Sequence, residues 1–248
     1  VETSARTARP LVTARTAAVW TVLRAELERH AGRELTVLDV GGGTGGFAVP
    51  LAEAGHAVTV IDASPDALAA LTRRAADAGV ADRITAVQGD GDALAGLVAP
   101  GSADLILCHS VLEIVDDPTG VLAAITAALR PGGAVSLLVA NRAAAVLNRA
   151  VNGQLRAASA LVTDPAGRAG PRDTLLRRYD ATSAGDLLTA AGLQVEATHG
   201  VRVFADLLPA AVIEEDPQAV LELETALSSL SPFRDIASQV HLFARRPA

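Results

Sequence analysis

One run constrains this chain more than any other: Val37-Leu38-Asp39-Val40-Gly41-Gly42-Gly43-Thr44-Gly45-Gly46. A short apolar stretch runs straight into glycines, and apolar periodicity resumes beyond them. That is the signature of a buried strand, a tight turn and a helix. Glycine adopts positive φ freely and lets main chain pass close to a ligand. Gly41, Gly43 and Gly45 are therefore expected to line a molecule lying against backbone. Asp39 falls at the strand end, where a carboxylate can meet a ligand ammonium directly or through water.

The chain around this run alternates β-branched segments with amphipathic ones, which predicts βαβ units and a parallel sheet. Strands are expected at 35–40, 57–62, 83–88, 104–110 and 134–140, with helices at 45–54, 65–78 and 119–129. Ser64 followed by Pro65 is a helix start. An N-terminal amphipathic helix is expected over 13–31. Beyond the fifth strand come a helical segment (143–161), a polar loop (163–174), a helix (183–191), a strand (193–199), an insert (206–229) and a last strand (239–245). The expected fold is a Rossmann-like α/β domain spanning 1–248, with seven strands and the last two paired antiparallel. Helices cover both faces, and segments 143–180 and 206–229 form a small cap over the carboxyl ends of the strands, where open α/β sheets bind ligands.

Two further acids follow strands. Asp62 ends the second, and an ionised carboxylate there can accept from both hydroxyls of a ribose; Ala63 beside it belongs to the same wall. After the third strand, Asp90 can accept from an adenine amino group, and the Gly91 N–H can reach a ring nitrogen. Nicotinamide and flavin dinucleotide domains also carry a glycine turn, but they need room and charge for a pyrophosphate. The acid before the glycines, the acid after strand three, and Leu129-Arg130-Pro131-Gly132-Gly133 before strand five resemble the class I methyltransferases. That resemblance implies S-adenosylmethionine (SAM) as cofactor.

Composition narrows the function. The net charge is −7, with all 21 basic residues arginine, which argues against a broad basic nucleic-acid footprint but not against a local one. A single cysteine, Cys108, excludes an internal disulfide and a cysteine-based zinc site. His30, His56, His199 and His241 are scattered along the chain, so no metal is expected. No run reaches the ~18 apolar residues of a membrane span. Residues 1–10 carry arginines with no apolar run behind them, so a cytoplasmic protein is expected.

Over about residues 15–247 the chain is similar to one family, the bacterial tRNA 5-carboxymethoxyuridine methyltransferases, which esterify the carboxylate of a modified wobble uridine. Arg15 with Trp20, the glycine run, Gly55-His56, and His109-Ser110-Val111-Leu112-Glu113 with Asp117-Pro118 carry the resemblance. So do Asn141, Pro171-Arg172-Asp173, Gly200-Val201-Arg202-Val203-Phe204, Leu221-Glu222-Leu223-Glu224 and the ending from His241 to Pro247. It departs in the loop after strand five, where members can be lysine-rich and this chain reads Thr163-Asp164-Pro165-Ala166-Gly167-Arg168. The resemblance implies a tRNA anticodon loop as partner; a small-molecule acceptor is the alternative, and a SAM-binding regulator without turnover a third.

Individual residues carry paired readings. Arg15 either neutralises the SAM carboxylate, meets the acceptor, or is a solvated helix arginine. Arg202, just beyond a strand end, is favoured for the acceptor, because a guanidinium grips a carboxylate with a rigid fork. Asn141 sits where the family has an asparagine after strand five, and that resemblance implies a catalytic role for it beside Arg202 and His109. His109 lines the cofactor and is a candidate base, with Cys108 facing the opposite way into the core. Glu113 and Asp117 are expected to cap or pair near the following helix. Arg172, Arg177 and Arg178 either contact phosphates or form a solvated face. Tyr179 and Phe204 either stack on a flat acceptor or pack in the core. A carboxylate acceptor needs no base, which fits the lack of a clear one. Arginines at the pocket mouth would favour tRNA, an enclosed apolar pocket under 206–229 a small molecule, and a blocked acceptor side a regulator.

Overall fold

The structure, a computed structural model, describes residues 13–248. Seven strands form one sheet: β1 (Thr36–Val40), β2 (Ala57–Asp62), β3 (Ile84–Gln88), β4 (Ala103–His109), β5 (Leu129–Ala140), β6 (Gln194–Val201) and β7 (Gln239–Arg245). Their spatial order is β3-β2-β1-β4-β5-β7-β6. The first five pair in parallel, and β7 runs antiparallel between β5 and β6. The carboxyl ends of β1 to β6 thus share one edge.

One apolar layer contains α1 (Ala17–Arg29), α2 (Ala48–Glu53) and α3 (Pro65–Asp77) against Val37, Leu105, Leu107, Ala134 and Phe243. The opposite layer contains α4 (Leu94–Leu97), α5 (Pro118–Ala128) and α8 (Ala181–Ala190) against Ile106, Cys108, Leu137 and Leu242. Burial on both faces is why these strands are continuously apolar. Helix starts follow from local chemistry. Ser64 accepts from the Ala67 N–H at the start of α3, and Asp117 accepts from Thr119 and Gly120 before Pro118 of α5.

The boundaries depart from expectation where glycines intervene. Helix α2 starts only at Ala48, because Gly43 and Gly45 hold φ of 54° and 79° and stay in the turn. The segment expected as one helix over 143–161 is two, α6 (Arg142–Val151) and α7 (Leu155–Thr163), parted at Gly153 with φ 73°. Strand β5 begins at Leu129, earlier than expected, because Leu129 already pairs with Ala103 before a register shift. The insert contains α9 (Ala210–Glu215) and α10 (Pro217–Leu227), and a short α11 (Phe233–Ile236) leads into β7. No helix among the described residues is long and apolar enough to cross a membrane.

Candidate active site

The glycine turn is built around two carboxylates. Gly41, at φ 69°, donates its N–H to Ile61 O at 2.7 Å, and a Cβ there would strike Val111 at 2.4 Å. A Cβ on Gly42 would meet the Asp39 carboxylate at 2.6 Å. Asp62 accepts from the Gly43 N–H (2.8 Å) through one oxygen and from the Ser64 N–H (2.9 Å) through the other. It therefore fixes the turn and keeps a lone pair on each oxygen for a ligand. Arg74 of α3 ties the far side of the turn by donating to Thr44 O at 2.7 Å.

Asp39 is buried, and among the described residues it has no ion pair or side-chain hydrogen bond. Burial, reinforced by the Asp62 charge, pushes its carboxyl up to about 7. A buried carboxylate without a protein cation is the seat an ammonium-bearing ligand requires. This is the feature that fits SAM. Ala63 is exposed beside Asp62. Asp90 is exposed and accepts from the Asp92 N–H at the next short turn, while Gly91 lies where a Cβ would press on Val115 and Val111. Asp92, which sequence reasoning missed, accepts from the Asp116 and Asp117 N–H groups and so joins the loop after β3 to the segment after β4.

His109 ends β4. Its ring meets Phe47 edge-on at 4.7 Å, and Phe47 stacks on Trp20 of α1 at 5.2 Å. Its Nε2 lies 2.8 Å from Ser136 Oγ, which lies 2.8 Å from His241 Nε2; His199 packs 5.9 Å from His241. Three histidines that look dispersed in sequence thus share one row of the sheet, through the register His109–Leu138–His241–His199. Burial holds His109 down to about 3 and keeps His241 well below its usual range. That burial favours the neutral imidazole of His109 over its charged form. Cys108 faces the other layer, fully buried, as expected.

Several expected substrate contacts turn out to be structural. Asn141 is buried; its oxygen accepts from the Ala143 N–H, and its amide donates to Asp235 O and Ala237 O. It caps α6 and ties α11 to the end of β5, so both amide hydrogens are used within the fold, which counts against the catalytic role expected of it. Arg177 donates to the carbonyls of Leu112, Val115 and Asp116, and Arg178 grips Asp173 with both prongs. Of Arg172, Arg177 and Arg178, Arg172 alone is exposed. Tyr179 is buried with its hydroxyl donating to Leu112 O, so it does not stack on an acceptor. Glu113 accepts from the Ala140 N–H and, through its carbonyl, receives Leu176 N–H. These bonds lay the loop over the carboxyl ends of β4 and β5.

The residues after β6 form the other half. Arg202 has φ 60°, uncommon for a residue with a side chain. It is held there by Glu224 of α10, whose buried carboxylate accepts from the N–H groups of Val203, Phe204 and Ala205 at 2.7–2.8 Å. Ser238 N–H donates to Arg202 O from the other side. Arg202 Nη1 lies 3.4 Å from one oxygen of Asp206, and Arg15 Nη2 lies 3.0 Å from the other. Arg202 Nε is buried without a partner among the described residues. Arg15, assigned from sequence to the cofactor, thus converges with Arg202. Sequence reasoning gave Asp206 no role and met Glu224 only within the Leu221-Glu222-Leu223-Glu224 resemblance, with no function attached.

A methyltransferase-domain family model matches residues 14–198. The chain belongs to the class I, SAM-dependent methyltransferases. The methyltransferase is 34% identical over 237 residues to the tRNA 5-carboxymethoxyuridine methyltransferase of Escherichia coli O157:H7, covering 94% of this chain and 88% of that protein. A ubiquinone biosynthesis O-methyltransferase of Xanthomonas euvesicatoria is 36% identical over 121 residues, about half of each chain (47% and 48%). Among solved structures, the magnesium protoporphyrin IX methyltransferase of Synechocystis superposes with a TM-score of 0.62 at 16% identity, covering 94% of this chain and 84% of that one. The last likeness establishes the fold.

Proposed function

We propose that this methyltransferase esterifies a carboxylate, and that the carboxylate belongs to 5-carboxymethoxyuridine in a tRNA anticodon loop. The observation that carries the reading is the convergence of Arg15 and Arg202 beyond β6, where they bracket the Asp206 carboxylate. Two guanidiniums at the ligand edge of the sheet are a seat for a carboxylate. The likeness to the Escherichia coli tRNA enzyme supports the RNA, since it extends over Arg202 and Glu224, beyond the stretch matched by the generic domain model.

When bound, SAM supplies an electrophilic methyl group on a sulfonium. In this reading Asp39 would hold its ammonium, Asp62 its ribose, and Asp90 with Gly91 its adenine. Arg202 and Arg15 orient the acceptor carboxylate, which has its own lone pair to offer the methyl group. No proton moves, because a carboxylate is already ionised at neutral pH. The neutral His109 is consistent with that chemistry. What remains for the protein is positioning, which can account for much of the acceleration.

A second reading has one observation in its favour. A groove of about 420 Å³, lined by Leu147, Val151, Val203, Leu207 and Ile236, adjoins Asp206. Its mostly apolar wall would take the body of a small carboxylic acid as readily as a nucleobase. Incubation with labelled SAM and either total tRNA or a small-molecule extract separates the two. The expected result is label in tRNA, in a base-labile methyl ester located by nucleoside mass spectrometry. Label in the extract alone overturns the tRNA assignment.

A further inference from the structure

Asp206 does more than bracket the two arginines. It contributes one negative charge to a seat that otherwise holds two positive ones. Its carboxylate is about one-quarter exposed, and so is the Arg202 side chain. Arg15 is more open, at 57%. Water and an incoming anion can therefore reach the cluster. Arg202 itself is held in a strained backbone conformation by groups other than Asp206, namely Glu224 and Ser238. The Arg202 backbone thus has its own support, and Asp206 acts on the charge that the side chains present.

That charge matters because of what the reaction does. An acceptor carboxylate loses its negative charge as the C–O bond forms. Binding that anion strongly stabilises the ground state more than the transition state and slows the chemical step. The two guanidiniums without Asp206 would grip the carboxylate too well and would also collect dianions such as phosphate. Asp206 lowers the charge of the seat by one unit. The acceptor can still reach the exposed edge of Arg15 and the exposed part of the Arg202 guanidinium.

We propose that Asp206 is a specificity-determining residue that sets the charge of the acceptor seat, keeping it tuned to a monoanionic carboxylate and against phosphate. This rests on the carboxylate-transfer reading above. The test is Asp206→Asn, close to isosteric, compared with the unaltered chain in two arms. In the first, steady-state kinetics use an anticodon stem-loop RNA bearing 5-carboxymethoxyuridine. KM should fall on the order of tenfold, the effect of about one partly screened unit charge, and kcat should fall with it. In the second, inorganic phosphate binding is measured by calorimetry and should tighten by a similar factor, while SAM affinity stays put.

A purely structural role for Asp206 predicts the opposite split, with KM rising as the arginines drift. A KM that rises or stays level overturns the proposal, and so does unaltered phosphate affinity. If the unaltered chain methylates no such RNA, the carboxylate reading itself fails. The phosphate arm still reads the charge of the seat in that case, so the two failures are distinguishable.

Discussion

At the ends of β1 and β2 two carboxylates, Asp39 and Asp62, sit close together with no protein cation paired to either among the described residues. Beyond β6 two guanidiniums sit close together across a protein carboxylate. In the proposed reading, the acid at the ends of β1 and β2 is left unpaired because the ligand brings its own cation, and the arginines beyond β6 are paired in advance because the charge they receive disappears in the reaction. In that reading one end holds a ligand and the other lets it change. The supports differ too: the cofactor end is fixed by backbone and glycine, the acceptor end by the buried Glu224 from a distant helix.

The comparison breaks most visibly at Arg202. Arg202→Ala should leave SAM affinity within about twofold and lower transfer by on the order of 10²-fold, as expected when a reacting group loses its orientation. Arg202→Lys should recover only part, since an ammonium lacks the fork. Calorimetry for SAM beside single-turnover transfer to tRNA reads both. Weakened SAM binding with unimpaired transfer would place Arg202 at the cofactor end.

The reciprocal change is Asp62→Ala. It should cost roughly 1–3 kcal/mol of SAM affinity, because ribose hydroxyls lose an acceptor and the Gly43 and Ser64 N–H groups lose theirs. The KM for the acceptor should be unmoved. SAM titration of the folded variant checks the first, and steady-state kinetics at saturating SAM the second.

How much of this was legible in the sequence follows the same division. The proposed cofactor end is local: Asp39 and the glycines lie within one strand and its turn, and Asp62 ends the next strand, so a linear reading can put them forward together. The parallel order and the antiparallel β7 follow from the element pattern. The acceptor end is non-local. Arg202 was readable by position, but its partner Arg15 comes from the N-terminal segment and its support Glu224 from α10. Asn141 looks like a substrate contact in a linear reading because it is polar and follows a strand, and Tyr179 because the chain has so few aromatics to offer a flat acceptor. Only the folded chain shows their hydrogen bonds used up by Ala237 O and Leu112 O. The histidines teach the same lesson, since sheet register gathers what sequence spacing scatters.

Glu224 sharpens the comparison on the stability side. Glu224→Gln keeps the shape but replaces a carboxylate that accepts three N–H groups with an amide having one acceptor oxygen. The expected loss is roughly 1–3 kcal/mol of folding stability. Transfer should fall as the 202–206 turn loosens, with SAM affinity little changed. Thermal or urea unfolding, with and without SAM, measures the first, and calorimetry the last.

The smallest effect expected is a pH dependence confined to the cofactor end. Asp39 is held up to about 7 in the folded chain, against an ordinary value of 3.8. Between those pH values the folded chain without SAM retains a proton that the unfolded chain has released. Its stability therefore declines as pH rises through that window and levels off above it. The ammonium of SAM requires the anion, so affinity should climb with pH toward 7, by at most about tenfold per unit, and then flatten. Below 7, binding should release a proton from Asp39, visible by calorimetry as a heat that varies with the ionisation enthalpy of the buffer. Asp39→Asn should remove both this proton release and the slope, at the cost of weaker binding throughout. Arg202→Ala should leave both intact, since Arg202 lies at the other end of the site. A slope that persists in Asp39→Asn would assign the titration to another group and undo the picture of an acid left unpaired for the ligand.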